Sequence, residues 1–281
     1  MPSSRTILSL RGITHHFRAE RGDVTALSGF DLDIAEGEFC ALVGPSGCGK
    51  STLLNIVVGL LEASAGRLLF RGKPWQGINK EIGYVTQADN LFPWRTALQN
   101  VMFGLEMRGI GTAKERHARA AALLDRVGLA GFHHRYRHEL SGGMRQRVNI
   151  VRTLAYDPKV ILLDEPFGPL DAQTRLNLQD LLLQLWQERS RTTIVFVTHD
   201  LTEAIALADR VVVMSPRPGR IREVVPVSLP RPRDIFSIHT DPAFRSIYDR
   251  LWAHLAEEMK QERSAPALDA DAEVDHYGVK P

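Results

Sequence analysis

Apolar and polar positions change their period along the chain, and those changes divide it into regions. Residues 7–13 form an apolar-rich run that predicts a strand, and residues 30–34 alternate apolar and polar as a half-buried strand does. Between them Glu20-Arg21-Gly22-Asp23 reads as a turn. Residues 38–43 predict a buried strand that runs through a glycine-rich stretch into a helix from about residue 50 to 60. Residues 68–70 and 81–85 predict further strands. From residue 98 to 139 the period is helical, with an Ala-rich, charged segment at 114–127, which predicts a helical insert at about residues 90–157. Strand patterns return at 160–163, 193–197, 210–214 and 221–227, with helical patterns at 142–156, 173–189 and 201–208. Strands alternating with helices predict an α/β core with a largely parallel sheet. Pro216, Pro218, Pro226, Pro230 and Pro232 then interrupt the chain, and a last helix is predicted at about residues 242–263. Residues 264–281 are small, polar and acidic, which predicts a disordered tail.

Composition narrows the class. Hydrophobic residues make up 44% and charged residues 24%, so the chain can build a core. Lys+Arg 35 against Asp+Glu 33 leaves a net charge of +2, which gives no footing to bulk electrostatic binding of nucleic acid or anionic lipid. Cys40 and Cys48 make no disulfide framework, and a reducing compartment is expected. The first residues lack the apolar core of a secretory signal, and no run approaches the ~20 apolar residues that span a bilayer. The expectation is a protein soluble by itself that meets a membrane through a partner.

Three motifs carry chemistry. Gly44-Pro45-Ser46-Gly47-Cys48-Gly49-Lys50-Ser51 fits G-x-x-x-x-G-K-[ST], with a strand before it and a helix after it. Glycines let backbone N–H groups converge on one anion, and the helix N-terminus adds partial positive charge. Lys50 is placed to reach β- and γ-phosphates and the Ser51 hydroxyl to ligate Mg²⁺. A plain glycine turn is the competing reading; pattern and context both speak against it. The second motif is Val160-Ile161-Leu162-Leu163-Asp164-Glu165, an apolar strand that delivers two carboxylates where ligands of α/β sheets bind. Asp164 suits Mg²⁺, and Glu165, pointing elsewhere, suits a general base for water; alone, the pair could be a solvated acidic turn. The third is Leu140-Ser141-Gly142-Gly143-Met144-Arg145-Gln146-Arg147, a second glycine pair opening a helix with Ser141 as N-cap. Such an end is an anion site or simply a cap. With one P-loop in the chain, a second phosphate site makes sense if it closes on nucleotide held by another subunit.

In this order the three motifs resemble the nucleotide-binding subunit of an ABC transporter, over roughly residues 8–227. The resemblance implies a P-loop NTPase core with a mostly parallel sheet, an N-terminal antiparallel β subdomain and an α-helical subdomain insert, within a domain of residues 1–263. It implies ATP and Mg²⁺ as cofactors. Gly44 to Gly49, Lys50, Ser51 and Thr52 would cradle ATP, and Ser51, Gln87 and Asp164 would hold Mg²⁺. Glu165, His199 and Gln87 would be catalytic. In a homodimer Ser141, Gly142, Gly143 and Asp171 would act in trans. Phe17 would stack on adenine, with His16 as a competitor. From the residues alone, Gln87 could be a loop amide, His199 an N-cap neighbour and Phe17 a core residue.

Asn90-Leu91-Phe92-Pro93-Trp94-Arg95 places apolar side chains on a loop, either folded under the helical insert or offered to a partner. With Ser215-Pro216-Arg217-Pro218-Gly219-Arg220 and Leu229-Pro230-Arg231-Pro232-Arg233, it is similar to the nitrate/sulfonate/taurine import branch. That likeness implies an importer at the cytoplasmic face of the inner membrane. Membrane permease subunits would be contacted near Gln87, Leu91, Phe92 and Trp94, with an external solute-binding protein acting indirectly. The late arginines read as a solvated basic loop, and no nucleic-acid partner is expected. Competing functions are an ABC-type ATPase working on ribosomes or DNA, and a P-loop kinase. His133, His134 and His138 could suggest a metal, against a bland polar surface. No large regulatory domain is expected at the C-terminal end.

Overall fold

The computed structural model describes residues 5–18, 22–188 and 192–264. The expected tail beyond Ser264, which itself ends the last helix, and half of the expected turn at residues 20–23 lie outside the described residues. Two sheets organise the chain. The first is antiparallel in the order β2-β1-β4-β5, with β1 Thr6–Phe17, β2 Val24–Ala35, β4 Ala65–Phe70 and β5 Lys73–Pro74. Strands β1 and β2 reach twelve residues each, longer than the alternation suggested. Their outer halves carry polar residues such as His16 and Thr25, whose side chains bond each other across the hairpin.

The second sheet runs β10-β9-β3-β8-β7-β6, with β3 Phe39–Val43, β6 Ile82–Val85, β7 Val160–Asp164, β8 Thr193–Val197, β9 Arg210–Met214 and β10 Ile221–Pro226. All its pairs are parallel except β10 with β9. Every residue of β3, β7 and β8 is buried, which is why these strands read as continuous apolar runs. Alternate residues of β3 enter different cores. Phe39, Ala41 and Val43 pack with the helices, whereas Cys40 and Leu42 pack toward the antiparallel sheet. The parallel strands therefore end together on one edge, and the P-loop leaves that edge from β3 into α1, Lys50–Val58.

Between β6 and β7 lie α2 Ala97–Met107, α3 Ala113–Arg126 and α4 Gly142–Leu154, the helical subdomain insert. The helical period expected through residue 139 stops earlier. Gly109 and Gly111 adopt positive φ before Thr112, whose capping box with Glu115 restarts the chain as α3. Gly128 and Gly131 then turn the chain out of α3, leaving a single 3-10 turn at Arg137–Glu139. Helices α5 Ala172–Gln187, α6 Leu201–Leu207 and α7 Pro242–Ser264 complete the α/β core.

The late arginines are a correction. Arg233 is buried and donates to the carbonyls of Ile205, Ala206, Ala208, Val227 and Leu229, so it caps the C-terminal end of α6. Burial holds its guanidinium down to about 10. Arg231 pairs with Asp209 and donates to Leu207 O. This segment is a structural clasp, not a solvated basic loop. Among the described residues no helix is long and apolar enough to cross a membrane.

Candidate functional site

The P-loop shape follows from its glycines. Gly47 and Gly49 have φ +73° and +98°, and a Cβ on Gly49 would stand 2.9 Å from both Ala26 O and Leu27 Cδ2. Gly49 is the N-cap of α1 and supplies no side-chain acceptor, so the first-turn N–H groups face the loop without a capping partner. Lys50 is buried at the centre of the loop and donates to Gly44 O and Pro45 O, each at 2.8 Å. Its remaining neighbour is Cys48 Sγ at 3.7 Å, a weak acceptor that a phosphate oxygen outcompetes. Pro45, Ser46 and Thr52 lie on the same loop and first turn. Arg217, from the loop after β9, donates to Gly47 O at 3.3 Å and brings a guanidinium to the rim.

Asp164 ends β7 beneath the loop. Ser51 Oγ donates to its Oδ1 at 3.1 Å and the Tyr84 hydroxyl to its Oδ2 at 3.2 Å. Burial nevertheless pushes the Asp164 carboxyl above the usual carboxylate range. A divalent cation offsets that penalty, and a hydroxyl beside a carboxylate is the hard-oxygen chemistry that suits Mg²⁺. These residues fit the ion.

Glu165 follows immediately but faces another way. Its φ is +43°, a left-handed turn that a non-glycine residue adopts at a cost of about 1–3 kcal/mol, and its N–H is held by Val197 O at 3.0 Å. The turn brings its Oε2 to 3.2 Å from His199 Nδ1. Gln87 Nε2 and Glu165 Oε2 stand 4.0 and 3.9 Å from the point a Cβ on Gly168 would occupy. Gln87, Glu165 and His199 thus converge on one opening, with Asp164 and Ser51 behind it.

The Ser141 loop does not join this opening within one chain. Ser141 caps α4 and accepts from Met144 N at 3.3 Å. A Cβ on Gly143 would stand 2.6 Å from Thr174 Cγ2 on α5, so a side chain there would force Thr174 or the Ser141 loop to shift. Asp171 caps α5, accepts from Thr174 N at 3.0 Å, and is held below the usual range by that N–H. Ser141, Gly142, Gly143 and Asp171 therefore share one surface around Thr174, open to a partner.

Phe17 ends β1 opposite Val24, half-buried, with the His15 ring edge-on at 4.6 Å. It stands on the strand pair whose Ala26 and Leu27 back the P-loop; His16 is exposed and bonded to Thr25 instead. Of the histidines of the insert, His133 pairs with Asp125 and lies edge-on to His134 at 6.5 Å, and His138 stacks on Tyr136.

Residues 27–168 match the family model described as ABC transporter. An "Uncharacterized ABC transporter ATP-binding protein" of Methanocaldococcus jannaschii is 49% identical over 82% of this chain and 86% of its own length. The chain belongs to the ABC transporter family. The taurine import ATP-binding protein TauB of Yersinia pestis is 46% identical over 73% of this chain and 80% of its own. A solved dimeric ATP-binding cassette, in a post-hydrolysis state bound to ADP and Pi, superposes with TM-score 0.71 at 33% identity, covering 79% of this chain and 100% of that one. The chain is an ABC-type ATPase, the ATP-binding subunit of its system.

In this ABC ATPase the loop after Gln87 is clamped to the helical subdomain, which the sequence motifs did not reveal. Asp89 receives Arg137 Nε at 2.7 Å and Nη2 at 3.1 Å, and Arg145 Nε at 3.0 Å. Arg145 also donates to Leu140 O, beside Ser141, and Arg152 donates to Asn90 O. Burial works to raise the Asp89 carboxyl, but Arg137, the Leu91 N–H and Arg145 outweigh it and hold it below the usual range. A depressed carboxylate stabilises the fold above its unfolded pKa, and that contribution is lost as pH falls through the folded value. Asp89→Ala leaves two guanidinium groups without their carboxylate and is expected to cost about 2 kcal/mol of unfolding free energy. Urea denaturation checks this; an unchanged midpoint contradicts it.

Proposed function

We propose that this chain is the ATP-hydrolysing subunit of an ABC importer, energising uptake of a small anionic or polar solute of sulfonate, taurine or nitrate type through separate membrane subunits. The observation that carries the reading is one loop with two ends. At one end Gln87 Nε2 and Glu165 Oε2 flank Gly168, with His199 bonded to Glu165; at the other, Trp94 is 71% exposed. The buried amide of Asn100 fixes this loop, accepting from Phe92 N and donating to the carbonyls of Phe92, Arg95 and Thr96. Phe92 lies 5.4 Å from Trp94 and 4.7 Å from Phe103, so the exposed indole stands on a supported base. Leu91 is a correction: it is buried in the core under the helical subdomain and has no surface for a partner. The partner face is Phe92, Pro93 and Trp94. A rigid exposed aromatic is the usual anchor of a protein interface, and the likeness to a taurine import ATPase supports a permease as the partner.

In this reading two copies enclose ATP, each nucleotide lying between one copy's P-loop and the other's Ser141–Gly143 loop and Asp171. Phe17 stacks on the adenine. Backbone N–H groups of residues 44–52 and the Lys50 ammonium hold the phosphates. Ser51, Asp164 and Gln87 would hold Mg²⁺, which when bound neutralises charge on the β- and γ-phosphates. Glu165 takes a proton from water as the water oxygen bonds the γ-phosphorus and the bond to the β-phosphate oxygen breaks, giving ADP and phosphate. His199 orients the γ-phosphate and Glu165. The chain sits at the cytoplasmic face of the inner membrane through its permease, and an external binding protein delivers the solute without touching it.

Affinity capture of the tagged chain from detergent-solubilised native membranes tests the reading. A polytopic membrane protein is expected, and Trp94→Ala is expected to reduce its recovery about tenfold while nucleotide binding persists. Ribosomal proteins or DNA, with no membrane protein, would overturn it.

A further inference from the structure

Glu203 lies in the first turn of α6 with its carboxylate buried, away from the opening where Glu165 and His199 meet. Its Oε2 accepts the Thr198 hydroxyl at 2.6 Å and its Oε1 accepts Gln179 Nε2 at 3.1 Å. Thr198 and Gln179 are themselves buried. The Thr198 oxygen in turn accepts Asp200 N at 3.0 Å, so one hydroxyl and one carboxylate grip both neighbours of His199. Gln179 belongs to α5, and one turn earlier Arg175 stands 3.8 Å from Glu203 and 3.7 Å from Asp200 while donating to Leu170 O. Helix α5 is the helix that Asp171 caps. A single buried carboxylate thus joins the His199 loop to the helix that begins at the partner-facing surface.

The choice of residue is informative. Thr198 Oγ and Gln179 Nε2 donate to Glu203, and the Arg175 guanidinium stands 3.8 Å away at ion-pair distance without bonding it, a set of donors and positive charge that suits a carboxylate acceptor. An apolar residue or an amide would fill the same volume at less desolvation cost. Burial opposes the charge and pushes the carboxyl up to about 7; Thr198 works against burial, Asp200 adds to it, and Arg175 and His199 favour the charge.

We propose that Glu203 is a positioning residue for hydrolysis: its buried carboxylate locks Thr198 against α5 and so fixes His199 beside Glu165. The proposal rests on the reading of His199 as the group that orients the γ-phosphate. An amide at this position keeps one acceptor and turns its NH₂ against a second donor. The Thr198–Asp200 turn then loses one of its two anchors, and His199 samples orientations away from Glu165. Nothing in this chain of contacts touches the P-loop, so ATP affinity should not change with it.

Steady-state ATP hydrolysis by the full-length chain tests this, with Glu203→Gln, Thr198→Val, Thr198→Ser, the Glu203→Gln/Thr198→Val double variant and His199→Ala. Glu203→Gln and Thr198→Val should each lower kcat about tenfold, the size of one charge-assisted hydrogen bond, with KM for ATP nearly unchanged. Thr198→Ser keeps the hydroxyl and should restore most of the rate. The double variant should be no slower than the slower single one, because both break the same link. The ratio of wild-type to Glu203→Gln kcat should rise between about pH 6 and pH 8, since only the wild-type residue gains charge there, while Arg175, Asp200 and His199 are common to both. Wild-type rates in both single variants would overturn the proposal. So would additive losses that track melting temperature and KM, the mark of a merely structural residue. If Glu203→Gln does not fold, the Val and Ser variants of Thr198 decide alone. His199→Ala separates the two readings: wild-type hydrolysis there refutes the role of His199, whereas a dead His199→Ala beside an active Glu203→Gln refutes only the positioning.

Discussion

Glu165→Gln is expected to bind ATP and barely hydrolyse it. The substitution keeps side-chain length and an oxygen within reach of His199 Nδ1, now 3.2 Å from the carboxylate. It leaves the left-handed backbone turn at φ +43° in place and touches neither Lys50 nor Asp164. What it removes is the acceptor for the proton of the attacking water. General-base catalysis is worth about 10²–10⁴ in rate, so kcat should fall about a thousandfold. With binding intact and turnover blocked, ATP should hold two chains together. Size-exclusion chromatography with ATP and Mg²⁺ should show a dimer that the wild type forms only transiently. A kcat within a factor of about ten of wild type would remove Glu165 from the base role.

Lys50→Ala should fail one step earlier, at binding. The ammonium is buried and bonds Gly44 O and Pro45 O, so it both shapes the loop and supplies positive charge at its centre. Its removal takes the Lys50 donor from Gly44 O, leaves Pro45 O with the 3.4 Å bond from Cys48 N, and takes a charge-assisted bond of about 1.5–3 kcal/mol from the phosphates. ATP affinity should drop about a hundredfold and hydrolysis should be lost with it. The α1 N-terminus still presents its N–H groups, so weak binding survives. Titration with a fluorescent nucleotide checks this, and wild-type affinity would contradict it. Together the two variants separate holding the phosphates from cleaving them.

What was legible in the sequence was what is contiguous in the chain. The P-loop, the Asp164–Glu165 strand end and the Ser141 cap each place their chemistry within a few residues of one turn, where spacing fixes geometry. The strands β3, β7 and β8 were readable because burial on both faces leaves them almost wholly apolar, with polar residues at an end alone, Asp164 closing β7 and Thr193 opening β8. The Asp89 clamp was not readable, because its arginines arrive from residues 137 and 145 through the packing of the helical subdomain. Tyr84 and Glu203 were missed for the same reason: a hydroxyl on β6 and a carboxylate on α6 meet their partners only after the sheet has formed. Leu91 and Arg233 misled in opposite directions. A leucine in a polar loop looked offered to a partner and is core; an arginine among prolines looked solvated and is buried among five carbonyls.

The central claim is that each ATP site is built from two copies of the chain. It is tested most directly by mixing two variants in a Glu165→Gln background, one carrying Lys50→Ala and the other Gly143→Val. In the second, a Cβ would stand 2.6 Å from Thr174 Cγ2, so the valine forces Thr174 or the Ser141 loop to shift and adds bulk on the face offered to the partner's nucleotide. Each variant alone should trap no ATP. Mixed, an intact P-loop from one chain can face an intact Ser141 loop from the other, and about one ATP per dimer should be trapped. No trapped nucleotide in the mixture, or full trapping by the Gly143→Val chain alone, would show that the sites are not shared between copies.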